Sequence, residues 1–131
     1  MKKFTSNSQK IGELGEGVAC NFLIKSGFSI LDRNYTKKWG EIDIIAQKGD
    51  KRYFIEVKSK RVDSIKSVSF EINRPEDNMH EWKIKRLKRV VETYLMSNKA
   101  NYKDWQFDLL VVYLDIDARF ARVNVIDKII L

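Results

Sequence analysis

Asp43 and the triplet Glu56-Val57-Lys58 stand on either side of a Gly49-Asp50 dipeptide. Two acids and an ammonium brought together at that spacing can hold a divalent cation and act on a phosphate ester. If Gly49 and Asp50 are the central residues of a two-residue hairpin turn, with glycine first as a type II′ turn requires, Asp43 faces Glu56 and Glu41 faces Lys58. Side chains alternate along a strand, so Glu41 shares a face with Asp43, and Glu56 with Lys58; the four charges form one cluster. Directly opposed carboxylates destabilise a strand pair. A cation removes that objection: Mg²⁺ is held by one or two carboxylates and keeps several waters, which leaves room for a phosphate oxygen. The competing reading is a salt-bridge cluster on a solvent face that stabilises the hairpin. Both depend on register, because a one-residue slip moves Asp43 to the opposite face.

The elements that must position these groups follow from periodicity. The segments Glu41 to Ala46 and Tyr53 to Lys58 read as the arms of the hairpin, rich in β-formers with charges two residues apart. Before them, Ile11, Leu14, Val18 and Phe22 recur with Gly15, Ala19 and Leu23 at the spacing of an amphipathic helix from Ser8 to Ser26, stopped by Gly27. Gly12, Gly15 and Gly17 each cost that helix about 1 kcal/mol relative to alanine. A close backbone approach is the expected compensation, and Glu16 lies in the thinned turn. Phe28 to Tyr35 reads as a first strand, followed by a polar turn through Thr36 to Trp39.

Residues 59–78 read as a loop over the hairpin's charged face, opening with Lys60 and Arg61 and passing through the turn formers around Pro75. A second helix is expected from a cap near Asp77 or Asn78 to about Asn98, with Ile84, Leu87, Val91, Tyr94 and Leu95 inward and its basic residues outward. Trp105 to Leu114 has the continuous apolar character of a strand buried on both faces. Asp115-Ile116-Asp117 makes a turn, Ala121 to Ile126 a last strand, and Ile129-Ile130-Leu131 an apolar tail. The order is that of an α/β domain with a mixed central sheet and the hairpin near its middle.

Length and composition set bounds. The 131 residues make one domain, 1–131, with 44% hydrophobic content and seven Phe, five Tyr and three Trp to fill a core. The first eight residues read as a flexible terminus. One cysteine, Cys20, excludes an internal disulfide and a multi-cysteine zinc site, and fits a reducing compartment. No apolar run suits a secretory signal or a bilayer span, so a cytoplasmic protein without a membrane partner is expected. A formal net charge of +7 favours an anionic polymer. Lys83, Lys85, Arg86, Lys88 and Arg89 crowd the second helix and, with Lys60 and Arg61, are the expected nucleic-acid contacts. A solvated helix face is the plainer account of such a run.

Taken together, Gly15-Glu16 on the first helix, Gly40-Glu41-Ile42-Asp43 and Glu56-Val57-Lys58 resemble the PD-(D/E)xK nuclease superfamily, and more closely the YraN-type family within it. Those chains are similar in fold to archaeal Holliday junction resolvases. Lys83-Ile84-Lys85-Arg86-Leu87 looks like the family's Lys-x-x-Arg-Leu helix start, and Gln106-Phe107-Asp108 like its Arg-Phe-Asp strand with Gln for Arg. Two departures stand out: Ile42 replaces the proline before Asp43, and the segment Ser67 to His80 is longer and more acidic than the family pattern. The resemblance implies a restriction-endonuclease-like three-layer core and Mg²⁺-dependent cleavage of DNA phosphodiesters at branched or damaged sites, with Mn²⁺ as a substitute ion. It assigns Asp43, Glu56 and the Val57 carbonyl to the metal, Glu16 to its outer coordination through water, and Lys58 to orienting the attacking water. Glu41 would hold Lys58 in place. By analogy with resolvases, which cut two strands, a homodimer is expected.

Two other functions compete. One is a nucleic-acid-binding module of the same fold that does not turn over and acts in recombination or repair. The other is a small basic interaction protein whose apolar C-terminus meets a partner. Asp108, at the start of a buried strand, reads as a structural partner for a Lys or Arg, Cys20 as core, and His80 as a surface residue.

Overall fold

The computed structural model describes residues 7–67, 81–98 and 104–131. Its elements run α1 (Asn7–Lys25), β1 (Ser29–Lys37), β2 (Gly40–Lys48), β3 (Lys51–Arg61), a short 3-10 turn (Ile65–Ser67), α2 (Glu81–Ser97), β4 (Asp104–Asp115) and β5 (Phe120–Ile126). The five strands form one sheet in the order β1-β2-β3-β4-β5. Only β3 and β4 run parallel; the other neighbours are antiparallel. The sheet is therefore mixed, with the hairpin at its centre.

Local sequence explains the boundaries. α1 closes with Gly27 at φ +93°, the Gly27 N–H donating to Ile24 O at 3.1 Å and the Phe28 N–H to Leu23 O at 3.0 Å. That pair of bonds satisfies helix-end carbonyls and requires the left-handed conformation glycine adopts without cost. Gly49 sits at φ +61°. Asp50 is not left-handed, as in the type II′ turn the sequence suggested. The register is the one that turn dictates, from Lys48 opposite Lys51 up to Ile44 opposite Ile55.

Among the described residues, one helix covers each face. On the α1 side, Ala19, Cys20 and Leu23 pack on Ile44, Ala46, Ile55, Leu110, Val112 and Leu114. On the α2 side, Leu87, Val90, Val91 and Tyr94 pack on Ile42, Ile45, Phe54, Phe107, Leu109 and Val111. β4 supplies both cores and is buried from Phe107 to Asp115. Helix, sheet and helix make the three layers of an α/β fold compatible with a restriction-endonuclease-like core.

Several expectations shift at their edges. β1 reaches Lys37, so the turn before β2 is confined to Lys38 and Trp39. β3 extends to Arg61, so residues 59–61 of the expected loop are strand, and Val62 still donates to Leu114 O at 2.9 Å. Residues 68–78 of that loop, His80, the cap near Asp77 or Asn78 and residues 1–6 lie outside the described residues. Residues 7 and 8 open α1 rather than a flexible terminus. Leu14, expected to face the core, is 49% exposed, because the buried stripe of α1 runs through Gly15, Ala19, Cys20 and Leu23. Ile129 reaches the α2-side core while Ile130 projects outward. Asp108 is buried as a structural acid, but it accepts from the Lys128 backbone N–H at 3.0 Å and Gln106 Nε2 at 2.8 Å rather than from a cationic side chain.

The glycines of α1 divide by function. A Cβ on Gly15 would fall 2.7 Å from Ser59 Cβ and closer still to its hydroxyl, whereas Gly12 and Gly17 have nothing within 4 Å of that position. Gly15 is thus the point where α1 lies directly on β3. Gly15→Ala is expected to cost about 1–3 kcal/mol by overpacking, while Gly17→Ala gains up to about 1 kcal/mol of helix propensity. Urea denaturation of the two variants checks the opposite signs.

Candidate metal centre

The candidate site lies where β2 and β3 part. Their pairing ends at Ile44 opposite Ile55, although both strands continue beyond it, and β3 stays paired with β4 as far as Arg61. The Val57 N–H therefore donates to Asp43 Oδ2 at 2.8 Å. Asp43 is placed by a break in alternation. Ile42 and Ile45 both face α2 while Ile44 and Ala46 face α1, so the two-residue rhythm of β2 slips once at Asp43-Ile44. The slip sets the acid in the opening between the strands.

Around Asp43, an oxygen from each of Glu16, Glu41 and Asp43 lies within 4.8 Å of the others. Donors around one Mg²⁺, each about 2.1 Å from the ion, are at most about 4.2 Å apart. Only one pair among three octahedral donors can be trans and cis oxygens are about 3.0 Å apart, so gathering these three on one ion needs a contraction of up to roughly 1.8 Å. Hard oxygen donors from carboxylates suit Mg²⁺ or Mn²⁺. Their electrostatics match that use. The Glu16 carboxyl is pushed up to about 7 by burial first and by the Asp43 charge next, with Arg33 opposing. Asp43 is also pushed up to about 7, by burial and then by Glu56, with the Val57 N–H opposing.

Glu56 stays beside Asp43, as the hairpin register predicts, while Lys58 and Glu41 keep different company. Glu56 is buried and forms an ion pair with Lys83 of α2 at 2.7 Å. The Lys58 ammonium is lowered from its ordinary value by burial, then by Lys60 and Lys83. Glu41 does not hold Lys58: it accepts from Thr36 Oγ1 at 3.1 Å, and among the described residues no carboxylate lies within 4 Å of the Lys58 ammonium. The expected single face of four charges is thus divided. Glu41 and Asp43 join Glu16 on the α1 side and Lys58 neighbours Lys83 on the α2 side, while Glu56 stands between them, against Asp43 and paired with Lys83. The slip in β2 and the end of its pairing with β3 account for the division.

The opening has a mouth on each face of the sheet. A cavity of about 580 Å³ on the α1 side is lined by Glu16, Asn34, Glu41, Asp43, Glu56 and Arg61, among others. One of about 280 Å³ on the α2 side is lined by Glu41, Asp43, Glu56, Lys83 and Arg86, with Gly40 and Leu87. Among the expected phosphate contacts, Arg61, Lys83 and Arg86 therefore line the acid cleft. Lys85 is exposed on α2, Arg89 stacks 4.2 Å from the Trp39 ring centroid, and Lys60 lies 6.0 Å from that of Tyr113. Lys88 borders a separate apolar groove beside Trp105 and Ile129.

Sequence reading did not single out Arg33 or Asn34, which face the acids from β1. Their signal was weak, since Arg-Asn before an aromatic residue looks like ordinary strand surface. No helix among the described residues is long and apolar enough to cross a membrane.

Comparison with known proteins gives a consistent match. The model of the uncharacterised protein family UPF0102 matches residues 15–112, which include all the site residues above. The UPF0102 protein of Dictyoglomus thermophilum is 42% identical over 108 residues, covering 82% of this chain and 86% of that protein. That of Caldicellulosiruptor saccharolyticus is 35% identical over 120 residues, 92% and 96% of the two chains. A Campylobacter jejuni UPF0102 protein is 39% identical over 105 residues, 80% and 85% of the two.

A carboxyl whose folded pKa is raised binds more protons folded than unfolded between its two pKa values, so its contribution to stability falls as pH rises through that interval. For Glu16 and Asp43 the interval runs from the ordinary carboxylate range to about 7. In EDTA, Tm is expected to fall between pH 5 and pH 8 by about 4 °C or more, the shift that about 1 kcal/mol produces in a domain near this size. Asp43→Asn flattens that slope, and Mg²⁺ raises Tm at pH 8. Thermal melts followed by circular dichroism check all three.

Proposed function

We propose that this chain, which belongs to the uncharacterised protein family UPF0102, the YraN family of its sequence motifs, is a Mg²⁺-dependent endonuclease that hydrolyses DNA phosphodiesters at branched or damaged sites. The observation that carries the reading is the convergence of Glu16, Glu41 and Asp43 within 4.8 Å at the point where β2 and β3 part, with Glu56 and Lys58 on the adjoining strand. An acid group of this kind, with Glu16 and Asp43 raised in pKa and the cleft open on two faces, is costly to folding and suits an ion-binding role.

Asp43 and Glu16 would hold Mg²⁺, or Mn²⁺ in its place, with Glu41 in the same group and Glu56 and the Val57 carbonyl on the facing strand. Once bound, the ion supplies Lewis-acid polarisation of the phosphoryl oxygen and a lower pKa for the attacking water. The residues do the remainder. Asp43 is fixed by the Val57 N–H, which leaves its second oxygen for an ion. Lys58, with no carboxylate within 4 Å among the described residues, orients the attacking water and offsets charge developing on the phosphate. Arg61, Lys83 and Arg86 border the two mouths and draw in the phosphate backbone. A homodimer would place a second such cleft on the opposite strand of a junction.

A second reading is favoured by one contact. The Lys83 ammonium lies 2.7 Å from Glu56 and gives that acid a structural partner without any ion. On this reading the chain binds nucleic acid in recombination or repair but does not cut it.

With Mg²⁺ and a labelled four-way junction, wild type is expected to nick the DNA. Glu56→Ala and Lys58→Ala each lower the rate by at least about 100-fold, the scale of lost electrostatic and acid–base assistance. DNA affinity stays within a few fold. Binding weakens steeply with salt on either reading. A wild-type protein that binds but cuts none of junction, flap, duplex or single-stranded DNA with Mg²⁺ or Mn²⁺ decides for the second reading.

A further inference from the structure

Asn34 holds a left-handed backbone inside a strand: its φ is +54°, in the middle of β1. Asn and Asp tolerate that region best among residues with side chains, and such conformations gather at functional sites. The residues on either side remain in register with β2, Arg33 opposite Ile44 and Tyr35 opposite Ile42. The twist therefore re-aims one side chain without dissolving the pairing. Asn34 is exposed and lines the larger mouth of the acid cleft, so packing does not explain it.

Its surroundings do. With the amide nitrogen turned to the acids, Asn34 donates to Glu16 Oε1 at 3.2 Å and to Glu41 Oε1 at 2.8 Å; the opposite orientation sets its oxygen against acceptors. One amide nitrogen carries two hydrogens, enough for both acids. Glu16 arrives on α1 and Glu41 on β2. The amide therefore bridges two elements, at the place where α1 is already pressed onto the sheet through Gly15.

We propose that Asn34 is a positioning residue that yokes Glu16 of α1 to Glu41 of β2, holding their carboxylates converged so that the cleft is arranged before an ion arrives. It rests on the metal-binding reading given above and adds to it a residue that touches neither ion nor substrate. Groups that orient metal ligands in this way typically alter metal affinity 10- to 100-fold when removed, which sets a scale of about 10-fold here.

Two substitutions separate the amide from the backbone. Asn34→Gly accepts the left-handed φ without strain and deletes the amide. Asn34→Asp keeps the shape and the tolerance of that φ, but sets a carboxylate against two others. In EDTA at pH 8 and low salt, Asn34→Asp is expected to melt below Asn34→Gly, with the gap narrowing in 0.5 M NaCl as the repulsion is screened. In calorimetric titration with Mn²⁺ alone, Asn34→Gly is expected to bind about 10-fold more weakly than wild type. Equal melting of the two variants at low salt, or Mn²⁺ binding by Asn34→Gly within twofold of wild type, overturns the yoke. If wild type takes up no Mn²⁺, the metal reading of the cleft falls, and the melting comparison still decides whether the amide faces the acids.

Discussion

The hydrogen bond from the Val57 N–H to Asp43 Oδ2 is the contact on which the cleft depends. It occupies the place where a strand ladder runs out, beyond Ile44 opposite Ile55. A backbone donor left unpaired in a part-buried setting costs about 1–3 kcal/mol. A carboxylate that accepts it is therefore pinned to the neighbouring strand before any ligand is considered. The opening between β2 and β3 exists because an acid replaces the next rung. Since β3 remains paired with β4 to Arg61, the parting does not unravel the sheet. The site is built into a rigid centre rather than a loop.

Holding the strands apart would achieve little if the third acid were distant. Gly15 removes the side chain that would keep α1 off β3, and Glu16 follows it directly in sequence. The helix is thus seated by the residue next to the acid that joins the cleft. The outcome is an acid group inside a chain of net charge +7. Two of its members resist ionisation for the same leading reason, loss of water; the Asp43 charge adds to the burden on Glu16, and the Glu56 charge to that on Asp43. A fold selected for stability alone would place apolar or mixed residues there, a cost that the proposed ion-binding role explains.

How much of this could be read from residues alone depends on range. Gly49 followed by Asp50 names a turn, the turn names a register, and the register put Ile44 opposite Ile55 without tertiary information. The continuous apolar run from Leu109 to Leu114 named the strand buried on both faces, and the helical stripe with its terminal Gly27 named α1. The alternation slip at Asp43-Ile44 was not legible, because Ile42, Ile44, Ile45 and Ala46 satisfy either face and no turn residue marks the irregularity. That slip is why Glu41 meets Thr36 rather than Lys58. Lys83 looked like one more cation on a basic helix, since its contact with Glu56 depends on where α2 crosses the sheet. Leu14 failed for a related reason: the glycine beside it, not the leucine, makes the closest approach.

The division of charge across the sheet bears on what the cleft can do. On the α1 side, Glu16, Glu41 and Asp43 gather acids with Arg33 as the opposing cation; on the α2 side, Lys83 pairs with Glu56 and neighbours Lys58. A phosphodiester undergoing attack needs both kinds of neighbour, cations for its growing charge and oxygens to hold the ion that polarises it. Had all four hairpin charges shared one face, Lys58 would have been neutralised by Glu41 and its capacity to meet a phosphate reduced. Because Glu41 is drawn towards β1 instead, Lys58 stays within the reach of Lys83 and, among the described residues, more than 4 Å from any carboxylate. The irregularity that defeats simple strand alternation is thereby the feature that leaves a cation at the cleft, as the proposed phosphodiester chemistry requires.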